Sequence, residues 1–228
     1  MIAWNRIQVN RKENGIEMSK FFNLDSPLMQ FLTKLSDLMI LNIVFLITCL
    51  PVFTIGAAWT ALYYLTLKMV RDEYSNIIRS YLKAFRQNFV QATILWLGVL
   101  AVGAVLVLDY LILDRVDSTY STVMNIGIGI LAAFCFMVLQ YLFPLLSKFD
   151  ASTIQTLKNA CLLSVAHLPR TLVMVFSAVG ILLITFFNGY TASIGMLLWM
   201  LFGFALMAYS NSMILVKVFD KLISASAE

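Results

Sequence analysis

Long apolar runs, separated by short charged breaks, dominate this chain. Four of them, Phe89 to about Leu113, Thr122 to about Leu146, Thr171 to Phe187 and Thr191 to about Val216, approach or exceed the ~20 residues that a helix needs to cross a bilayer. A fifth run, Leu38 to Val70, is interrupted by Pro51 and Gly56 and carries one charge, Lys68. As one straight helix its 33 residues would reach ~50 Å, well past a ~30 Å hydrocarbon layer. That segment must fold back, tilt strongly or leave the bilayer.

Two segments show helical periodicity of another kind. Before the run at Phe89, Ile78, Leu82, Phe85 and Phe89 repeat at helical spacing, with Tyr81 beside them, and Arg79, Lys83 and Arg86 form a parallel basic stripe. This predicts a basic amphipathic helix, which lies on a membrane surface or docks on a partner, feeding directly into a span. Further on, Asp150 or Ser152 caps a second such helix, in which Ile154, Leu157, Cys161, Val165 and Leu168 recur while Gln155, Lys158, Asn159 and Ser164 fill the rest. It also runs into a span, past His167 and Arg170. A shift of 79 residues superposes the two architectures, although the residue matches are faint.

Composition agrees with the pattern. The 228 residues are 61% hydrophobic and 12% charged, with a mean hydropathy of +0.87, against roughly 45–50% and 25% in soluble domains. The expectation is an all-α, polytopic membrane helix bundle with no room for a large soluble domain. The N-terminus lacks the apolar core and cleavage site of a signal peptide.

Charge sets the orientation. Arg6, Arg11, Lys12, Lys20 and Lys34 precede the first span; Lys68, Arg71, Arg79, Lys83 and Arg86 precede the span at Phe89. Lys148, Lys158 and Arg170 sit in one later break, and Lys217 and Lys221 end the chain. The segment from Asp109 to Ser121 instead holds Asp109, Asp114 and Asp117 with only Arg115, and "FNGYTAS" is uncharged. The positive-inside bias puts both termini and both amphipathic helices in the cytoplasm. Parity then requires residues 35–70 to cross twice, turning near Pro51, which predicts about six transmembrane helices. A re-entrant hairpin, with the second leg from Ala57 to Val70 returning early, preserves the same parity.

Candidate chemistry is sparse. There is no HExxH, GxSxG or P-loop pattern, and neither a catalytic nor a metal site nor a cofactor is expected. His167, the only histidine, precedes Pro169 at a helix corner and suits a cap or turn role better than a ligand role. Cys49, Cys135 and Cys161 are scattered core thiols rather than a disulfide framework. The intramembrane polar residues are Asp37, Asn42, Gln140 and Asn211. Asp37, a helical turn from Lys34, suits a boundary ion pair. Asn42, Gln140 and Asn211 suit hydrogen bonds between helices, or the lining of a transport path. Arg79, Lys83 and Arg86, with Phe85 and Phe89, suit anionic lipid and topology on one reading and partner docking on another.

Taken in order, "DSPL", "LPVFTIGA", "TALYY", "VRDE", "FRQNF" and "HLPRT" make the chain resemble the YesL-like family of bacterial integral membrane proteins from about Phe21 to Leu222. Family members usually begin near the position of Met18, which leaves residues 1–17 as an extension; the resemblance thus implies an N-terminal extension in residues 1–20, outside the core, and a single transmembrane domain in residues 21–222. Their genes tend to accompany those of carbohydrate ABC importers and polysaccharide-degrading enzymes. The resemblance implies a multi-pass protein of the bacterial cell membrane, and a non-catalytic auxiliary or stabilising subunit of an oligosaccharide importer. Its implied partners are the lipid bilayer, the permease subunits and, through them, the ATPase, with no nucleic acid. An independent small-solute transporter or channel is the alternative. "NACLLSVAHLP" keeps the Ala and Leu-Pro of a permease coupling helix but lacks its Glu and Gly, so direct ATPase docking is not expected.

Overall fold

A computed structural model describes residues 27–113 and 119–225. The N-terminal extension with its basic residues, and Asp114, Arg115 and Asp117, lie outside the described residues. Every regular element among the described residues is helical. In chain order they are α1 (Pro27–Cys49), a 3₁₀ turn (Val52–Thr54), α2 (Ile55–Val70), α3 (Ile77–Leu113), α4 (Thr119–Lys148), α5 (Thr153–Ala166), α6 (Leu168–Thr185), α7 (Gly189–Leu198), a π-helical turn (Trp199–Gly203) and α8 (Phe204–Ala225).

Pro51 and Thr54 shape the first corner. Proline disfavours helix in the residue before it and lacks an N–H, so α1 stops at Cys49. The Thr54 hydroxyl then reaches the Thr48 and Pro51 carbonyls, each at 2.6 Å. α2 returns beside α1: Lys34 on α1 pairs with Asp72 just past α2 at 2.9 Å, and the Tyr74 hydroxyl donates to Asp37 at 2.7 Å.

α2 is the centre of the molecule. Gly56, Ala57, Ala58, Ala61, Leu62, Leu65 and Met69 are all buried, and α1, α3, α4 and α8 pack around them. Small residues let neighbouring backbones approach in the absence of a hydrophobic drive between membrane helices. At Gly56 the approach is extreme, since a Cβ there would sit 2.6 Å from the Ala92 carbonyl oxygen and from Trp96 Cβ.

Among the described residues five helical runs are long and apolar enough to cross a membrane: Leu28–Cys49, Ile77–Leu113, Tyr120–Lys148, Leu168–Thr185 and Gly189–Ser224. The protein is therefore a multi-pass membrane protein by length and composition. The expected sixth span, α2, has 16 residues, or ~24 Å, which falls short of ~30 Å. Shielded by its own chain, its ends need not meet lipid, and irregular backbone is tolerated at membrane depth under that condition.

The first amphipathic segment is the start of α3, whose 37 residues extend ~55 Å. Its basic turns thus continue the helix of the span, as the unbroken run into Phe89 suggested, rather than forming a second helix. The second amphipathic segment is a separate helix, α5, capped by Ser152, whose side chain accepts from the Gln155 N–H. Gln91 of α3 holds the α4–α5 connection by donating to the Ala151 carbonyl at 2.7 Å.

Candidate functional site

The basic stripe and its aromatic edge have different surroundings. Arg79, Lys83 and Arg86 are exposed, and among the described residues none has a carboxylate within ion-pair distance. Phe85 and Phe89 are half-buried against the core, in a ring series Tyr81–Phe85–Phe89 with centroids 6.3 and 5.5 Å apart. The fully buried Tyr81 places its hydroxyl 2.6 Å from the Thr48 hydroxyl and 3.3 Å from the Ala58 carbonyl, so it locks α3 onto α1 and α2. The aromatic residues therefore anchor a segment that leaves three cations free.

On α5 the buried face is Thr156, Ala160, Leu163 and Ser164. Ile154, Leu157 and Val165 stay exposed, Leu157 at the groove that α5 shares with α3 and α4. An uncovered apolar stripe beside exposed Lys158 and Asn159 suits an interfacial position. His167 joins α5 to α6, its N–H bonded to the Leu163 carbonyl and its carbonyl accepting from the Arg170 and Thr171 N–H groups. Burial, then the neighbouring Arg170 and Lys221 cations, hold its imidazole below the ordinary value of 6.5. The Thr171 hydroxyl sits 3.1 Å from the Tyr141 hydroxyl and 3.0 Å from the Ser164 carbonyl, tying α4, α5 and α6 at the "HLPRT" motif.

The intramembrane polar residues fall into two nodes. The Asn42 amide donates to the Trp199 and Met200 carbonyls at 3.0 and 2.8 Å and accepts from the Ala205 N–H at 3.0 Å. It thereby satisfies backbone groups at the π turn, where the regular helical ladder is shifted. Gln140 and Asn211 meet each other at 3.4 Å, and Asn211 reaches the Tyr63 hydroxyl at 3.5 Å. All three are buried. Both nodes are spent on helix-to-helix bonds.

Asp37 departs from the ion pair expected with Lys34. It accepts from Tyr74, and Lys34 instead reaches Asp72. Arg71 pairs with Asp220 of α8. The "VRDEY" segment is thus a clasp: Arg71 holds α8, while Asp72 and Tyr74 hold α1. Burial, then the bond to Asp37, push the Tyr74 phenol above its ordinary value. Asp72 has φ 55°, a left-handed conformation that Asp tolerates better than most residues. Tyr74 and Asp220 carry no local signal that would have revealed this role. Their partners lie 37 and 149 residues away.

Much of the molecule remains apolar and uncovered. Of the most apolar stretch in each helix, 6% is buried in α3 and α4, against 22% in α1 and α6. Between α3, α4 and α5 runs a groove of about 560 Å³ whose walls include Gly98, Val102, Gly103, Cys135 and Leu139. Nothing lies within 4 Å of the Cβ positions of Gly98 and Gly103. Among the described residues no three His, Cys, Asp or Glu side chains gather as a metal site would.

A family model described as "Protein of unknown function, DUF624" matches residues 38–110, about a third of the chain, from within α1 to near the end of α3. The YesL-like proteins that the sequence resembles are of this family. No curated protein and no solved structure matches the chain.

Proposed function

We propose that the protein is a non-catalytic auxiliary or stabilising membrane subunit of an oligosaccharide ABC importer in the bacterial cell membrane. The observation that carries the subunit reading is the uncovered flank: the most apolar stretches of α3 and α4 are only 6% buried, and the two helices frame a groove with Gly98 and Gly103 at its wall. A permease helix packs well against small residues at such a wall. The free cations Arg79, Lys83 and Arg86 occupy the first turns of α3, where a cytoplasmic partner or anionic lipid meets them. The carbohydrate importer as partner rests on the family resemblance.

An independent transporter would line a path with polar side chains facing water. Asn42, Gln140 and Asn211 are buried and bonded to neighbouring helices, which favours the subunit reading. A subunit that binds one conformational state of the permeases shifts their equilibrium, and one that binds all states equally only stabilises the assembly.

Mild-detergent purification of the tagged protein from its own membranes, followed by mass spectrometry, tests this reading. Stoichiometric recovery of two sugar permeases and an ATPase is expected, with loss on R79Q/K83Q/R86Q or on G98L/G103L. Recovery of well-folded protein alone would overturn it.

A further inference from the structure

The end of the bundle where α2 and α4 stop holds a pocket of about 170 Å³ between these helices and α8. That is far above the ~10–15 Å³ that admits one water. Leu67 and Phe219 form apolar wall, and Lys68, Arg71, Glu73 and Lys148 supply the charge. Arg71 is already paired with Asp220. Lys68 lies over the Tyr64 ring, 4.5 Å from its centroid. Among the described residues neither Lys68 nor Lys148 has a carboxylate within ion-pair distance, and Glu73 has no cation within it.

We infer that this pocket binds a phosphate group, with Lys68 and Lys148 as its ligands and Glu73 as the opposing charge that limits its affinity. Two cations free of carboxylates line one cavity, and the helices that carry them end there. Basic pockets between helix ends are a known mode of anionic headgroup recognition. The apolar wall suits the glycerol backbone of a lipid, and the same charges would also take a soluble phosphate ester. Each lysine also occupies the last turn of its helix, where a cation answers the helix dipole. That role alone would make stability, but not lipid preference, depend on the two lysines.

The test is native mass spectrometry and thermal stability of the full chain in detergent, with phosphatidylglycerol, phosphatidylcholine or sn-glycerol 3-phosphate added. Phosphatidylglycerol should bind in preference to phosphatidylcholine, K68Q/K148Q should weaken it by roughly tenfold or more, and K68R/K148R should retain it. Competition by millimolar sn-glycerol 3-phosphate would assign the site to a soluble phosphate ester, and its failure to compete would assign it to lipid. Should the glutamine variant fail to fold, E73Q decides: it should tighten phosphatidylglycerol binding by roughly threefold or more. Unchanged binding in K68Q/K148Q, or in E73Q, overturns the proposal.

Discussion

Asn42 illustrates how one side chain repairs a backbone. The π turn leaves carbonyls of Trp199 and Met200 and the N–H of Ala205 facing α1, and a single amide answers all three. Leucine has a similar size and none of these bonds, so Asn42→Leu leaves buried polar groups unmet, at a cost of about 1–3 kcal/mol each before relaxation. The expected result is a clearly lower melting temperature in detergent, with Asn42→Asp worse still, because a carboxylate would face two carbonyl oxygens. Melting temperatures unchanged from wild type would show that the π turn supports itself. His167 makes a second prediction. Its neutral form is favoured in the folded state, so between the lowered value and 6.5 the unfolded chain binds more protons. Stability should therefore decline as pH falls below about 6.5, and His167→Gln should flatten that slope in thermal melts across the window. Asp37 shows the limit of local reading: Lys34 lies a turn away in sequence, yet the partner is Tyr74.

Among the elements, α2 depends most on close packing. Gly56→Ala places a methyl against a backbone oxygen and a Cβ that have no rotamer to change, so α2 and α3 must separate. A loss of about 1–3 kcal/mol is expected from overpacking of this kind, read as reduced thermal stability and reduced yield of monodisperse protein. Gly98→Ala and Gly103→Ala meet nothing and should leave the isolated protein as stable as wild type in the same assay. α3 makes the opposite case to α2. Its apolar length, its basic start and its unbroken passage through Phe89 were legible from periodicity; that all of it is one helix of 37 residues was not. Packing of Tyr81, Phe85 and Phe89 against the core keeps the helix straight through that point.

At the scale of the whole molecule, the clasp closes one end and the flank of α3 and α4 remains open. Arg71–Asp220, Lys34–Asp72 and Tyr74–Asp37 link α1, the end of α2 and α8. Exposed pairs contribute only about 0–1 kcal/mol each, so Asp220→Asn alone should change the melting temperature little. Asp220→Asn combined with Tyr74→Phe should loosen the ends together, seen as faster amide hydrogen exchange at residues 70–76 and in the last turns of α8. Exchange unchanged in the double variant would mean that packing alone holds this end.

Class, element type and the segment boundaries at Pro51 and Ser152 followed from the chain itself, because hydropathy, helical period and capping chemistry act over a few residues. The same local signals singled out Asn42, Gln140 and Asn211 within apolar runs, where they are buried, and Arg79, Lys83 and Arg86 as a stripe, which is exposed. The central position of α2, the π turn held by Asn42, the clasp and the phosphate pocket depend on residues far apart in sequence. Their geometry comes from how closely helices of fixed length approach one another. Only the packed bundle decides that, since hydrogen-bond and charge partners are chosen by distance in space and composition carries no record of it.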